Sequence, residues 1–345
     1  MRWFRIPLYI LALVVVLTAA VGAWLGLQPP VTAPPMELRW RADTEGALLP
    51  APGSGVQVRF LGVSTLLLDD GETAILTDGF FSRPGKLQSL LGQVEPDLQA
   101  ITRGMARADI GAAGSRLKVV IPVHSHYDHV MDAPEVALRT GALLLGSDST
   151  ANVGRGWGLP EAQIRVATLG APMQFGRFTV TLWPSQHLPT GFTGGTITKP
   201  LKPPARAFAY KEGQSYAVHV AHGGRTLLIN GTAGFVPGAL RAAPAEVVLL
   251  GIGALGRQDE AYRAAYWQGV VTTVGARRVI PIHWDDFWIP SDLPLQPIPP
   301  PLDDFEASMD FLRRQGKTSG VDVRLPLAWE PMDIWAGLPP PAAGR

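Results

Sequence analysis

The feature that most limits how this chain can fold is a histidine cluster that directly follows an apolar stretch. The sequence "IPVHSHYDHV", residues 121–130, contains three of the chain's seven histidines and one aspartate. Residues two apart on a strand point to the same side, so His124 and His126 can hold one ion. Asp128 and His129 follow where the chain turns, and imidazole and carboxylate are ordinary zinc ligands. The pattern predicts a buried strand that ends at a site for one or two metal ions.

The composition limits which other kinds of site are available. The chain has no cysteine, which excludes disulfides, thiolate ligands and a cysteine nucleophile, so His, Asp or Glu must hold any metal. The formal net charge is +1 and the 30 basic residues are scattered, so no nucleic-acid partner is predicted. With 46% hydrophobic residues in a chain of 345, a large buried core is expected.

The first part of the chain, residues 1–28, is predicted to enter or cross a membrane. Arg2 and Arg5 precede residues 6–27, which contain no charged residue. The length suits a membrane anchor of about 20 residues, and the small residues at 21–23 equally suit the cut of a signal peptide. The remainder is therefore expected to be exported or anchored, on the periplasmic or other extracytoplasmic side in a bacterium.

A Pro-rich linker is predicted at residues 29–50, followed by one α/β domain at residues 51–345. Short β-branched and aliphatic runs in this domain read as strands, among them "VQVRFLG", "STLLLDD", "TAILTDG", "LKVVIPV", "FTVTLW", "SYAVHVAH" and "RTLLIN". Tight hairpin turns are predicted at Asp70-Gly71 and at Gly223-Gly224. Antiparallel pairing is expected on both sides of each turn.

Helices are predicted to begin near Asp97, Asp259 and Asp303. The third has the clearest pattern, because Asp303 or Asp304 can cap it and Gly316 can end it. Its apolar residues at i, i+4 and i+7 are expected to lie on one buried face; they are Phe305, Met309 and Leu312.

The pattern H-x-H-x-D-H at residues 124–129 resembles the defining motif of the metallo-β-lactamase fold superfamily. Other motifs of that family follow the same order: "ILTDGFF" gives Asp78, "PSQHLPT" gives His187 and "PIHWDDFW" gives His283. The resemblance implies an α/β fold, a four-layer αββα sandwich. Within the superfamily, "LTDGFFSRP" and "PSQHLP" look similar to the branch of ascorbate-6-phosphate lactonases and N-acylphosphatidylethanolamine phospholipase D.

The resemblance also implies a role for each matching residue. The first metal would be held by His124, His126 and His187, and the second by Asp128, His129 and His283. Asp78 would support the site without binding a metal itself. The expected cofactor is Zn²⁺, one or two ions per chain, with other divalent metals left open. Asp128 would also orient the attacking hydroxide, and His283, if it leaves the metal, could meet the developing oxyanion.

One position departs from the family pattern. The family usually has a metal-bridging aspartate in a later turn, where this chain reads "INGTAGF" and places Thr232. Without that carboxylate the second ion is expected to bind more weakly. Asp285 or Asp286 could supply the missing charge, or both could simply cap or solvate their loop. His219 and His222 lie three apart on a predicted strand, so at most one of them faces the site.

These features predict a metal-dependent hydrolase that uses a metal-activated water. The expected substrate is a small molecule or lipid-like ester, lactone or phosphodiester. Trp284, Phe287 and Trp288 would make the mouth of the site apolar, although they could equally belong to the core. The alternative function is a metal-binding scaffold of the same fold without turnover. The sequence leaves the oligomeric state open.

Overall fold

The computed structural model describes residues 5–26, 55–111, 115–189 and 194–339. The chain divides into two compact units, Met1–Ala33 and Pro34–Arg345. In the first unit, helix α1 spans Arg5–Gly26, and the side chains of residues 9–22 are exposed. No helix within the described ranges combines the length and the apolar character that a membrane crossing needs. The predicted linker at residues 29–50 lies outside the described residues.

The described part of the second unit contains fourteen strands in two sheets. The strands are β1 (Gln57–Phe60), β2 (Leu66–Asp69), β3 (Ala74–Thr77), β4 (Leu117–Ile121), β5 (Leu143–Gly146), β6 (Ile164–Val166), β7 (Pro172–Phe175), β8 (Phe178–Ser185), β9 (Ser215–His222), β10 (Arg225–Asn230), β11 (Val247–Gly251), β12 (Arg278–Ile282), β13 (Asp322–Val323) and β14 (Pro331–Met332). The first sheet has the order β14-β1-β2-β3-β4-β5-β6, and the second has the order β13-β12-β11-β10-β9-β8-β7.

Helices occupy many of the connections between strands, and several of them pack on the sheets. They are α2 (Lys86–Leu91), α3 (Leu98–Arg107), α4 (Tyr127–Val130), α5 (Ala133–Thr140), α6 (Asp148–Trp157), α7 (Glu260–Trp267) and α8 (Phe305–Ser319). Ile101 of α3 and Val136 of α5 share a buried cluster with Val120 of the first sheet. Tyr266 of α7 and Met309 of α8 belong to the large cluster that includes β11 and β12. The result is the two-sheet α/β sandwich that the resemblance implies.

The strand directions bring several chain turns to one edge of each sheet. In the first sheet β3, β4 and β5 are parallel. In the second sheet β10, β11 and β12 are parallel, and β8 runs with β10 because both are antiparallel to β9. The carboxyl ends of such strands are the usual place for a binding site in an α/β fold. The residues that follow β3, β4, β8, β10 and β12 include Asp78, His124, His187, Thr232 and His283.

The predicted hairpin at Gly223-Gly224 is confirmed. His222 pairs with Arg225 across it, and the two glycines have φ of +56° and +80°. Two consecutive residues with positive φ define the type I′ turn, whose twist matches that of the flanking strands.

The hairpin predicted at Asp70-Gly71 forms between antiparallel strands as expected, but its tight turn lies one residue later. Asp69 pairs with Ala74, and the backbone N–H of Asp70 donates to the Thr73 carbonyl at 3.1 Å, so the turn residues are Gly71 and Glu72. The Asp70 carboxylate accepts hydrogen bonds from the backbone N–H groups of Glu72 at 2.9 Å and Thr73 at 2.8 Å. This local side-chain bonding stabilises the turn in its shifted position.

Helix α8 begins where the sequence predicts and ends later. The Asp304 carboxylate caps it by accepting from the backbone N–H of Ala307 at 3.0 Å. The predicted end at Gly316 is wrong, because the helix continues to Ser319 and is closed by Gly320 with φ of +71°. A Cβ at Gly316 would lie 2.7 Å from the Val323 side chain, so this glycine serves helix–strand packing instead of termination.

Candidate metal centre

The first group of candidate ligands consists of His124, His126 and His187. Each offers one ring nitrogen, and these atoms all lie within 4.8 Å of one another. Nε2 of His124 is 2.9 Å from Nδ1 of His126. Nδ1 of His187 lies 2.7 Å from the carbonyl oxygen of Leu188, which can only accept, so Nδ1 carries the proton and Nε2 is free to bind a metal.

The second group consists of Asp128, His129 and His283, again with its donor atoms within 4.8 Å of one another. The Nε2 atoms of His129 and His283 are 3.2 Å apart. Oδ2 of Asp128 lies 3.4 Å from the first of these nitrogens and 3.5 Å from the second. Nitrogen and carboxylate donors that converge at these distances fit one divalent ion.

Asp78 holds His129 from the side away from the centre. One carboxylate oxygen lies 2.7 Å from Nδ1 of His129, and the other accepts from the backbone N–H of Val123 at 2.9 Å. A carboxylate in this position fixes the tautomer of the ring and leaves Nε2 for the metal. The structure thus places Asp78 where the resemblance assigns a supporting residue.

The backbone is strained at three residues next to the ligands. Val63, Asp78 and His283 have φ of +53°, +52° and +54°, values that cost non-glycine residues about 1–3 kcal/mol each. The backbone N–H of His283 donates to the Val63 carbonyl at 2.7 Å, and that of Val63 donates to the Asp285 carboxylate at 2.7 Å. These bonds hold His283 in its unusual conformation.

The protonation states of the ligands suit a cation. Burial lowers the pKa of His124 well below its ordinary value and the pKa of His187 to about 3, so both rings are neutral at pH 7. Burial also acts to lower the pKa of His129, but the carboxylates of Asp78 and Asp128 raise it overall. Burial acts to raise the pKa of Asp128, and the neighbouring imidazoles, His129 first, lower it overall. The second group therefore contains one ionised carboxylate.

Thr232 lies beside the segment that carries His187. Its hydroxyl accepts from the backbone N–H of Leu188 at 3.2 Å. Its carbonyl accepts from the Asn230 side chain at 2.8 Å and from the Tyr266 hydroxyl at 3.0 Å. A neutral hydroxyl at this position supplies no negative charge to the centre, and Thr232 belongs to neither ligand group of the described residues.

Asp285 and Asp286 are both engaged by other side chains. Oδ2 of Asp285 pairs with the Arg83 guanidinium at 2.6 Å, and both side chains are fully buried. Asp286 lies 3.2 Å from the Lys86 ammonium and accepts from the backbone N–H of Trp288 at 3.0 Å. Within the described ranges neither carboxylate joins a ligand group.

One of the three aromatic residues after His283 belongs to the core. Trp284 is only 4% exposed. Its ring lies 6.2 Å from the ring of Phe60 and 5.5 Å from that of Phe305, measured between centroids. Trp284 therefore does not line the mouth of the site.

Three other aromatic side chains form what we call the aromatic wall: Tyr127, Phe287 and Trp288. The Phe287 ring centroid is 6.0 Å from that of His283, 6.2 Å from that of Tyr127 and 4.4 Å from that of Trp288. The Trp288 indole N–H donates to the Tyr127 hydroxyl at 3.0 Å. Because Tyr127 lies between two ligands in sequence, the wall borders the second ligand group directly. Residues 190–193 of the loop after His187 lie outside the described residues.

Glu212 also supports the centre, although no sequence motif marks it. Its carboxylate accepts from the backbone N–H of His187 at 3.1 Å and from the Ser215 hydroxyl at 2.9 Å, and its carbonyl accepts from the backbone N–H of Ser125 at 2.8 Å. Glu212 therefore ties the His187 segment to the histidine cluster. A single glutamate in a loop carries no sequence signal for such a role.

The two remaining histidines bind other parts of the fold. Nε2 of His219 lies 2.9 Å from the Pro244 carbonyl, and Nε2 of His222 lies 2.8 Å from the Asp70 carboxylate. Neither belongs to a ligand group among the described residues.

Comparison with protein families gives one match, to a model described as "Beta-lactamase superfamily domain", over residues 73–284. This range is more than half of the chain and contains both ligand groups. No curated protein gives a significant match in sequence.

Several solved structures share the fold. A variant of CmlA β-hydroxylase has a TM-score of 0.51 and 14% identity, and the match covers 82% of this chain and 54% of that one; CmlA is described as a diiron β-hydroxylase from Streptomyces venezuelae. Igni18, a metallo hydrolase from Ignicoccus hospitalis, has a TM-score of 0.47 and 17% identity over 81% and 96% of the two chains. An isothiocyanate hydrolase from Delia radicum gut bacteria has a TM-score of 0.49 and 14% identity over 81% and 99%.

Proposed function

The chain belongs to the β-lactamase superfamily and is a metal-dependent hydrolase, and we propose that it hydrolyses an ester, a lactone or a phosphodiester. The observation that carries the proposal is the pair of ligand groups, each with three donor atoms within 4.8 Å of one another. Three protein ligands leave a position for water or substrate, as in catalytic metal sites, whereas structural sites are closed by four.

The proposed cofactor is Zn²⁺, held by His124, His126 and His187 and, where a second ion binds, by Asp128, His129 and His283. A bound divalent ion supplies a water of lowered pKa, about 7, and polarises the oxygen under attack. Asp128 is ionised and borders the centre, so it accepts a hydrogen bond from the attacking water and orients it. When no second ion binds, Nε2 of His283 is free to stabilise the negative charge that develops on the substrate.

The second ion is proposed to bind more weakly than the first. Asp128 is the single carboxylate in the two ligand groups of the described residues. Two divalent ions carry four positive charges, which the bridging aspartate of the family would partly neutralise. Thr232 cannot do so, and Asp285 and Asp286 are engaged with Arg83 and Lys86.

The aromatic wall supports an acyl or lipid-like substrate. Phe287 and Trp288 are partly exposed beside the second ligand group, where they offer apolar surface to a chain attached to the scissile bond. The resemblance to the branch of ascorbate-6-phosphate lactonases and N-acylphosphatidylethanolamine phospholipase D agrees with this substrate class.

Metal analysis combined with a substrate panel tests the proposed reaction. We expect the purified chain to contain zinc and to hydrolyse at least one ester, lactone or phosphodiester, with activity lost on chelation and restored by zinc. Bound metal without turnover on the whole panel would favour the scaffold alternative. Iron in place of zinc would contradict the proposed cofactor.

Chain length of the substrate tests the role of the aromatic wall. We expect kcat/KM to rise from acetyl to long-chain acyl esters, and Phe287→Ala to flatten this rise because it removes part of the apolar surface. Equal or faster turnover of short, water-soluble substrates by the wild type would contradict the lipid-like substrate class.

Export is proposed for the N-terminal segment, on the basis of the uncharged residues 6–27 that follow Arg2 and Arg5. Fusing residues 1–54 to a reporter active only outside the cytoplasm tests this proposal in a bacterial host. We expect activity with the native segment and none when two arginines are placed within residues 10–20. The mass of the mature protein then distinguishes cleavage from anchoring.

A further inference from the structure

One ring nitrogen of His283 has no hydrogen-bond partner in the described structure. Nε2 of His283 points to the second ligand group, whereas Nδ1 is buried and unpartnered. When Nε2 binds a metal, Nδ1 must carry the proton, and a buried N–H without an acceptor is unfavourable. Metal-binding histidines almost always donate this proton to a carboxylate, a carbonyl or a water.

An unpartnered carboxylate oxygen lies in the same part of the fold. Asp303 is 2% exposed. Its Oδ1 accepts from the backbone N–H of Asp304 at 2.7 Å, but its Oδ2 is buried without a partner. Asp303 immediately precedes the capping residue of α8, beyond the residues that match the family model.

Both unpartnered atoms belong to side chains that lie next to the turn after β11. A Cβ placed on Gly253 would lie 3.2 Å from Nδ1 of His283, so this ring nitrogen faces the glycine directly. The next residue, Ala254, directs its backbone N–H at the Asp303 carboxyl. Trp284 follows His283 and Phe305 lies two residues after Asp303, and the centroids of these two rings are 5.5 Å apart.

Electrostatics agrees with this proximity. Burial raises the pKa of Asp303 to about 6, and the His283 ring is one of the groups that act to lower it. The imidazole therefore lies within electrostatic range of the carboxyl.

We propose that Asp303 is a positioning residue for the second metal ion: its Oδ2 accepts the Nδ1 proton of His283 through one buried water. The inference rests on the proposed metal centre. Asp303 fixes the tautomer and the orientation of His283 and makes its Nε2 a stronger donor, as Asp78 does for His129. Its negative charge lies behind a ligand. This charge partly compensates for the bridging carboxylate that the centre lacks because Thr232 occupies that position.

The test compares Asp303→Asn with Asp304→Asn in the purified full-length chain. Both variants remove one negative charge, at adjacent positions, and asparagine still caps α8 at position 304. Cobalt(II) is titrated into each metal-free protein without substrate, with calorimetry for affinity and visible absorption for ligand geometry. We expect Asp303→Asn to weaken the second ion about 10- to 100-fold and to change its absorption, with the first ion unaltered. Asp304→Asn should match the wild type.

The outcomes separate this inference from the proposed function. A wild type that binds no metal would contradict the centre itself. If the wild type binds two ions, two results would overturn the role of Asp303 alone. In one, Asp303→Asn binds the second ion as tightly as the wild type does; in the other, both variants weaken it equally. If Asp303→Asn does not fold, histidine-selective ¹⁵N NMR of the zinc-loaded wild type decides, with His283→Asn used to assign the signals. A protonated Nδ1 of His283 that exchanges slowly with solvent supports the inference, and rapid exchange overturns it.

Discussion

At the scale of single residues, the candidate centre depends on which groups are neutral and which are charged. His124 is a buried neutral ring and His187 is a partly buried neutral one. Asp78 and Asp128 bring negative charge to the other side of the centre, one behind His129 and one within the ligand group. In the proposed centre the first ion would therefore be held by lone pairs alone, and the second also by charge.

His126→Ala tests the first ligand group. We expect the variant to lose the first ion and hydrolytic activity while its circular dichroism stays that of the wild type, because the large apolar core does not depend on the ion. His219→Ala is the matched control, since His219 bonds only a distant carbonyl. Full metal occupancy in His126→Ala would show that the ligand assignment is wrong.

Thr232→Asp tests the missing charge. A carboxylate at this turn is expected to tighten the second ion, leaving the first little changed, because it supplies the negative charge that the second group lacks. Thr232→Asn, similar in size and neutral, should not tighten it. Metal titration at one pH gives the number of ions and their affinities, and two tightly bound ions in the wild type would refute the weak second site.

At the scale of secondary-structure elements, the strand ends determine where the ligands meet, and the sequence reveals only part of this. The histidine cluster predicts the metal site because its ligands are local, and the two glycines at 223–224 predict their hairpin because both adopt positive φ. The exact position of the turn after Asp70 depends on side-chain bonds to backbone amides, which the Asp-Gly pattern does not reveal. Gly316 was read as a helix end, but it serves a tertiary contact.

Gly253→Ala tests how closely the turn after β11 approaches His283. The added Cβ would lie 2.7 Å from the His283 carbonyl oxygen, a backbone atom that cannot move away easily. We expect the free energy of unfolding to fall by about 1–3 kcal/mol and the second ion to bind more weakly. Gly85→Ala is the control, since its Cβ would meet nothing within 4 Å. Equal stability of both variants in urea titrations would contradict this packing.

At the scale of the whole molecule, a buried carboxylate connects the two sheets. Asp70, after β2 of the first sheet, contacts His222 of β9 at 2.8 Å and Arg177, beside β8, at 3.1 Å. These two pairs link residues 107 and 152 positions apart, and the pair of Arg83 with Asp285 links residues 202 positions apart. No local pattern predicts such pairs, so the sequence alone leaves Asp285 open as a metal ligand.

The pH dependence of the free energy of unfolding of Asp70→Asn tests this connection. Burial acts to raise the pKa of Asp70, but hydrogen bonds from Thr73, Glu72 and His222 and the charge of Arg177 lower it overall. A carboxyl whose pKa is lowered in the folded protein stabilises the fold when the pH is above 3.8, its ordinary pKa. This contribution is lost as the pH falls through the folded-state pKa. We expect the variant to be about 1–3 kcal/mol less stable at pH 7, with a smaller difference at pH 3.

Asp69→Asn provides the control for that experiment. Asp69 pairs with the partly exposed Arg116, and such surface pairs contribute about 0–1 kcal/mol. Urea unfolding of the three proteins at both pH values gives the comparison. A difference between Asp70→Asn and the wild type that stays constant from pH 7 to pH 3 would refute the role of the ionised carboxylate.

The origin of the ligands along the chain makes the metal a link between two halves of the polypeptide. Strands β1 to β6 form the first sheet with β14, and β7 to β13 form the second. Each ligand group takes two members from the first stretch and one, His187 or His283, from the second. A chain cut at the exposed turn near Gly170, between β6 and β7, would therefore leave neither fragment with a complete set of three ligands. Zinc should then promote reassembly of the two fragments and chelation should oppose it, so that the ion that serves hydrolysis would also report whether the two halves of the protein are joined.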